Sequence, residues 1–239
     1  MPPLFIAIFA IIKTTMNDHF SRFREGVIGI DETFDSPFGR KKIIYADWVA
    51  SGRMYGPIED KIRKEVLPLV ANTHTETSYT GTMMTKAYHE AHQIIKKHVN
   101  ASEHDVLICS GSGMTGVVNK FQRILGLKLP EAFKEKVALK KEERPIVFCS
   151  HMEHHSNHTS WLETTAEVVI IKPCDKGNLD VEHFKELLES YKDRSLKIAA
   201  ITCCSNVTGI HTPYAQIASM IHAQGGFCFV DFACSAPYV

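Results

Sequence analysis

The chain has 239 residues, 44% hydrophobic and 23% charged, which suits a globular protein with room for a sizeable core. Lys plus Arg and Asp plus Glu each total 27, giving a formal charge of zero. That balance argues against nucleic acid or an anionic membrane as an obligate partner. The seven cysteines are odd in number and form no Cys-x-x-Cys pair, so free thiols in a reducing cytoplasm are expected.

Leu4 to Ile12 is the one membrane-like run. It is too short to span a bilayer and has no basic segment before it. The first fifteen residues are expected to be an upstream start or a disordered extension ahead of Met16. Strand and helix signals alternate from Tyr45 onward. Pro57 opens a helix with Glu59 and Asp60 in its first turn, and Ile58, Ile62, Val66 and Leu67 recur at helical spacing. A second helix is expected from about Lys86 to Val99. A strand follows at Val106 to Cys109, then a Gly/Ser loop and a helix bearing Met114, Val117, Val118, Phe121 and Leu125. Lys128 to Arg144 is charge-rich and reads as a solvated helix or connection.

Ile146 to Cys149 is the next strand, Trp161 lies on a short helix, and Val168 to Ile171 is another strand. Asp180 caps a helix whose face is Val181, Phe184, Leu187, Leu188 and Tyr191. Ile198 to Thr202 is a strand, and Thr212-Pro213 opens a helix that Gly225 closes. The run from Gly225 to Cys234 reads as a strand covered on both faces, with Asp231 at its far end. Strands alternating with helices in this way predict an α/β fold, a mostly parallel sheet with helices on both faces.

Four features lie at strand-to-loop junctions, where such sheets bind ligands. Ser110-Gly111-Ser112-Gly113-Met114-Thr115-Gly116 follows a strand signal and opens a helix. Its glycines, free N–H groups and hydroxyl can cradle an anion, although the run also suits a plain tight turn. His151-Met152-Glu153-His154-His155-Ser156-Asn157-His158 can be a metal site, a solvated loop or an imidazole stacked on a ring ligand. The His-Glu-x-x-His order of zinc proteases is absent. Cys204-Ser205-Asn206-Val207-Thr208-Gly209 offers Asn206 to cap a turn or bond a ligand. Asp231, a strand-end carboxylate, needs a cation or donor to face it.

In this order, the anion loop, Glu-His-His-x-Asn with a Trp four residues on, Ser-Asn-x-x-Gly and Val-Asp-x-Ala resemble the class V aminotransferase and cysteine desulfurase family. Tyr45-x-Asp47 followed by Ala50-Ser51 is similar to that family's N-terminal signature, and the likeness runs from about Tyr45 to Val239. The resemblance implies a pyridoxal-phosphate enzyme of the aspartate-aminotransferase fold, with residues 1–44 an N-terminal extension and small-domain segment and 45–239 part of the large domain. It further implies that Met114 and Thr115 hold the cofactor phosphate, and that His154 stacks on the ring and assists proton transfer. Asn206 would bond near the phenolic oxygen, and Asp231 would pair with the ring nitrogen. A small-molecule amino acid substrate and a homodimer, when complete, are implied too. Amino transfer and sulfur elimination from cysteine both remain open.

Two departures stand out. Cys234 occupies the position, three residues after the aspartate, where desulfurases carry Gln or His. The family's Schiff-base lysine lies in a Ser-x-His-Lys stretch after the Val-Asp-x-Ala strand, and no such stretch occurs before Val239. The expectation is therefore an N-terminal fragment that is inactive alone. The competing reading is a metal-binding domain built on the His cluster.

Overall fold

The computed structural model describes residues 19–137 and 139–238, so the expectation for the first fifteen residues falls outside the described part. The chain divides into two compact units, Met1–Ile108 and Cys109–Val239.

In the first unit, β1 (Thr33–Ser36) and β2 (Gly39–Lys42) form an antiparallel hairpin, a pairing the sequence reading did not include. Helix α1 (Gly56–Lys61) starts with Pro57 in its first turn and continues as a π-helical turn, Ile62–Val66. Helix α2 (Tyr79–His98) begins seven residues earlier than its periodicity suggests. Ser78 caps it by accepting from Gly81 N, and the threonines that make its first turns look unfavourable bond back onto the helix. Thr82 Oγ1 donates to Ser78 O at 3.0 Å and Thr85 Oγ1 to Gly81 O at 2.8 Å. The strand expected at Val106 to Cys109 is not formed. Val106 and Ile108 are exposed, and the segment pairs with no described strand; an apolar run becomes a strand only where a neighbour takes up its backbone groups.

The second unit is a four-stranded parallel sheet in the order β4-β3-β5-β6. Its strands are β3 (Ile146–Ser150), β4 (Glu167–Ile171), β5 (Lys197–Thr202) and β6 (Phe227–Asp231). Helices α3 (Gly113–Ile124), α4 (Thr159–Leu162), α5 (Val181–Ser190) and α6 (Tyr214–His222) complete it. Side chains alternate along the strands, so Ile146, Phe148, Ala199 and Ile201 pack with Phe184, Leu188, Ile217 and Ile221 of α5 and α6. Val147, Cys149, Ile198 and Ala200 pack on the other face with Val118 of α3 and Trp161 of α4. The expected helices on both faces are therefore present. β3 and β5 are fully buried and central, as near-continuous apolar runs require.

β6 is covered in part on both faces, with Cys228 packed against one apolar layer and Phe229 against the other. It is the edge of the described sheet, and Phe227 at its start is 50% exposed. Phe229 stacks on Phe121 and Trp161, and Asp231 at the far end is buried.

Candidate functional site

In a parallel sheet the carboxyl ends of all strands lie along one edge, which is the ligand-binding edge of such folds. Ser150, Thr202 and Asp231 end the neighbouring strands β3, β5 and β6 there. His154 follows β3 by four residues and Asn206 follows β5 by four, so the sheet brings these two and Asp231 to the same edge.

Asp231 is 4% exposed. Its Oδ1 accepts a hydrogen bond from Ala233 N at 2.8 Å, and among the described residues it forms no ion pair. A buried carboxylate in this condition suits a cationic ligand group. His154 is exposed and begins a short 3-10 turn, His155–Asn157. Ser156 N donates to its Nδ1, which also lies 2.8 Å from Ser156 Oγ. An accepting Nδ1 leaves the proton of the neutral ring on Nε2. Asn206 is exposed, with no hydrogen-bond partner among the described residues. The turn it belongs to is capped by its neighbour instead: Ser205 Oγ accepts from Val207 N at 3.3 Å and Thr208 N at 3.2 Å.

The Gly/Ser loop turns sharply into α3. Ser112 and Gly113 have φ of 67° and 59°, and no side chain caps the helix. The first N–H groups are thus open to an anion. A Cβ on Gly116 would lie 2.2 Å from Gly111 O, so the loop folds back against its own helix only because residue 116 is glycine. An open cavity of about 520 Å³ adjoins this loop, lined by Ser110, Gly111, Ser112, Gly116, Lys120 and Arg123, with Ile124. Met114 and Thr115 do not line it. Met114 packs into the core beside Val118, and Thr115 is exposed. Lys120 and Arg123 were missed from the sequence, although their spacing of four and seven from Gly116 puts them on its helix face.

Glu153 was quoted in the His-cluster motif but given no role. It is half-buried and accepts from Ser150 Oγ at 2.5 Å, Thr202 N at 2.8 Å and Asn157 Nδ2 at 2.7 Å. Burial pushes its pKa up to about 7 against the pull of those three donors, and the Asp231 charge pushes the same way. An acid directly after a buried strand was the available signal. Cys234 donates from Sγ to Cys204 O at 3.0 Å, and burial raises its pKa. None of the seven cysteines is in a disulfide. Among the described residues no group of three His, Cys, Asp or Glu side chains is placed to hold a metal ion, so the His cluster lacks the donor set that the metal-binding reading needs.

Residues 44–238 match the class-V aminotransferase family. The chain belongs to it. It is 28% identical over 201 residues to a cysteine desulfurase of Haloferax volcanii, covering 82% of this chain and 43% of that one. It is 25% identical over 209 residues to a probable cysteine desulfurase of Halalkalibacterium halodurans, covering 86% and 48%. The chain therefore spans about half the length of the curated relatives it matches. Among solved structures, the cysteine desulfurase CsdA of Escherichia coli superposes with a TM-score of 0.58 at 20% identity, over 79% of this chain and 44% of that one. A NifS-like protein of Rickettsia africae gives 0.51 at 18%, over 74% and 42%. At these identities the superpositions establish the fold.

Proposed function

We propose that this chain supplies the cofactor-binding portion of a pyridoxal-phosphate-dependent enzyme acting on an amino acid. The observation that carries the reading is the buried Asp231 carboxylate, lacking a cation among the described residues, at the strand edge of a class-V aminotransferase domain. Its charge suits a protonated ring nitrogen. The uncapped start of α3 suits a phosphate. These groups fit the cofactor at both its charged ends. When bound, it supplies an electron sink for an amino-acid carbanion.

In this reading Asp231 keeps a proton on the ring nitrogen. The N–H groups of Gly113, Met114 and Thr115 with the Thr115 hydroxyl hold the phosphate. His154 would be placed to cover the ring and could take up or give a proton at Nε2, and the amide of Asn206 would bond a ligand oxygen. The names of the relatives favour cysteine as substrate and sulfur elimination as reaction, with amino transfer as the alternative. We place the complete protein in the cytoplasm as a homodimer; no described helix is long and apolar enough to cross a membrane. The 239 residues contain no Ser-x-His-Lys stretch, and the reading for them is non-covalent binding of the cofactor.

Pyridoxine 5′-phosphate, which has no aldehyde to react with stray lysines, tests the binding site. It should bind at least about tenfold tighter than pyridoxine, since one charge-assisted hydrogen bond contributes about 1.5–3 kcal/mol. Thr115→Val should narrow the gap. Equal affinity for the two vitamins would mark the loop as a structural turn.

A further inference from the structure

Glu153 ties together three parts of the candidate site. Ser150 Oγ and Thr202 N both donate to its Oε1, joining the ends of β3 and β5, and Asn157 Nδ2 donates to its Oε2. Asn157 is itself buried and accepts from Trp161 Nε1 at 3.2 Å, so the turn that starts at His154 is fastened to the core through the same carboxylate. Thr202 is the register partner of Asp231, and Cys203 N donates to Asp231 O at 2.8 Å. One peptide step therefore separates the backbone contacts of the two acids. The titratable groups that face Glu153 are Asp231 from β6 and Cys149 from β3, whose thiol is pushed up by burial and by the Glu153 charge. No basic side chain bears on it among the described residues, and its remaining partners are neutral donors.

Two carboxylates held at the same sheet edge without a cation repel each other, and each favours a positive charge arriving at the other. We infer that Glu153 is a positioning residue of this site, which fixes the His154 turn against β3 and β5 and acts through Asp231 to strengthen its hold on a cationic ring. It has no contact with the ligand. The inference rests on the cation role proposed for Asp231.

The coupling is reciprocal: if an ionised Glu153 favours a cation at Asp231, that cation must favour an ionised Glu153. The test is a carboxyl carbon NMR titration of protein labelled with ¹³C-glutamate, with the Glu153 signal assigned by its loss in Glu153→Gln. The midpoint is read from the side chain itself because the ligand's own phosphate and ring nitrogen titrate over the same range. In the free protein it should lie near 7, and it should fall in Asp231→Asn and also when pyridoxine 5′-phosphate saturates the wild type. A fall of one pH unit on ligand binding corresponds to about tenfold tighter binding with Glu153 ionised. The wild-type comparison stands even if Asp231→Asn does not fold. An unchanged midpoint in a protein that binds the ligand would overturn this inference and leave the cofactor reading intact, the result a purely structural Glu153 would give. No binding at any pH would overturn both.

Discussion

Asp231 and Glu153 are both carboxylates at the same sheet edge, yet their surroundings ask different things of them. Among the described residues the Asp231 side chain accepts one neutral hydrogen bond and has no cation beside it, whereas Glu153 has its donors in place and its ionisation is opposed by burial. The raised Glu153 pKa has a definite sign in stability. The folded state binds that proton more tightly than the unfolded state. Its contribution is thus fully present below the ordinary glutamate value and is lost as pH rises through about 7. The unfolding free energy from urea titrations should accordingly fall between pH 5 and pH 8 by an amount on the order of 1–3 kcal/mol. In Glu153→Gln that part of the slope should vanish. An equally steep slope in the variant would assign the pH dependence to other groups.

At the scale of elements, the loop before α3 and the helix α5 make separate, checkable demands. Gly116→Ala pushes a methyl group into Gly111 O, so it should displace the loop and abolish any preference for pyridoxine 5′-phosphate while the sheet still folds, as circular dichroism would show. A variant that retains the preference would remove the loop from the binding site. Asp180 accepts from Glu182 N and His183 N at the start of α5. Asp180→Ala should cost about 0.5–2 kcal/mol in chemical denaturation, the usual loss for a helix cap, and leave ligand binding unchanged. That cap was legible from the sequence, as were the strands of the second unit, because buried parallel strands are short apolar runs with clear punctuation. The run Val106 to Cys109 looks the same on paper, but strand formation depends on a pairing partner, which local pattern does not reveal. The start of α2 was hidden because threonine propensity argues against a helix, and the hydroxyl bonds that rescue it exist only once the turn has formed. Asp231, His154 and Asn206 could be singled out because their motifs sit at junctions. Glu153 stands in the same motif as His154, but its bonds to Ser150, Thr202 and Asn157, like the cavity beside Lys120, depend on which loops the sheet brings together.

Across the whole molecule, burial is unevenly distributed. Only Gly81 and Thr85 are buried among the described residues up to Ile108, whereas the second unit holds two apolar layers around its sheet. Hydrogen exchange should reflect this, with amides of β3 and β5 slowest and those of the first unit exchanging far sooner. Comparable protection in both units would contradict the assignment of the stable core to residues 109–239. The central claim, however, is that this domain holds a protonated pyridine ring against Asp231. ¹⁵N NMR of ring-labelled pyridoxine 5′-phosphate bound to the protein tests it most directly. The account predicts the shift of a protonated ring nitrogen, persisting to higher pH than in the free ligand and lost in Asp231→Asn. A neutral-ring shift in the wild-type complex, or the same shift with and without the Asp231 carboxylate, would contradict it.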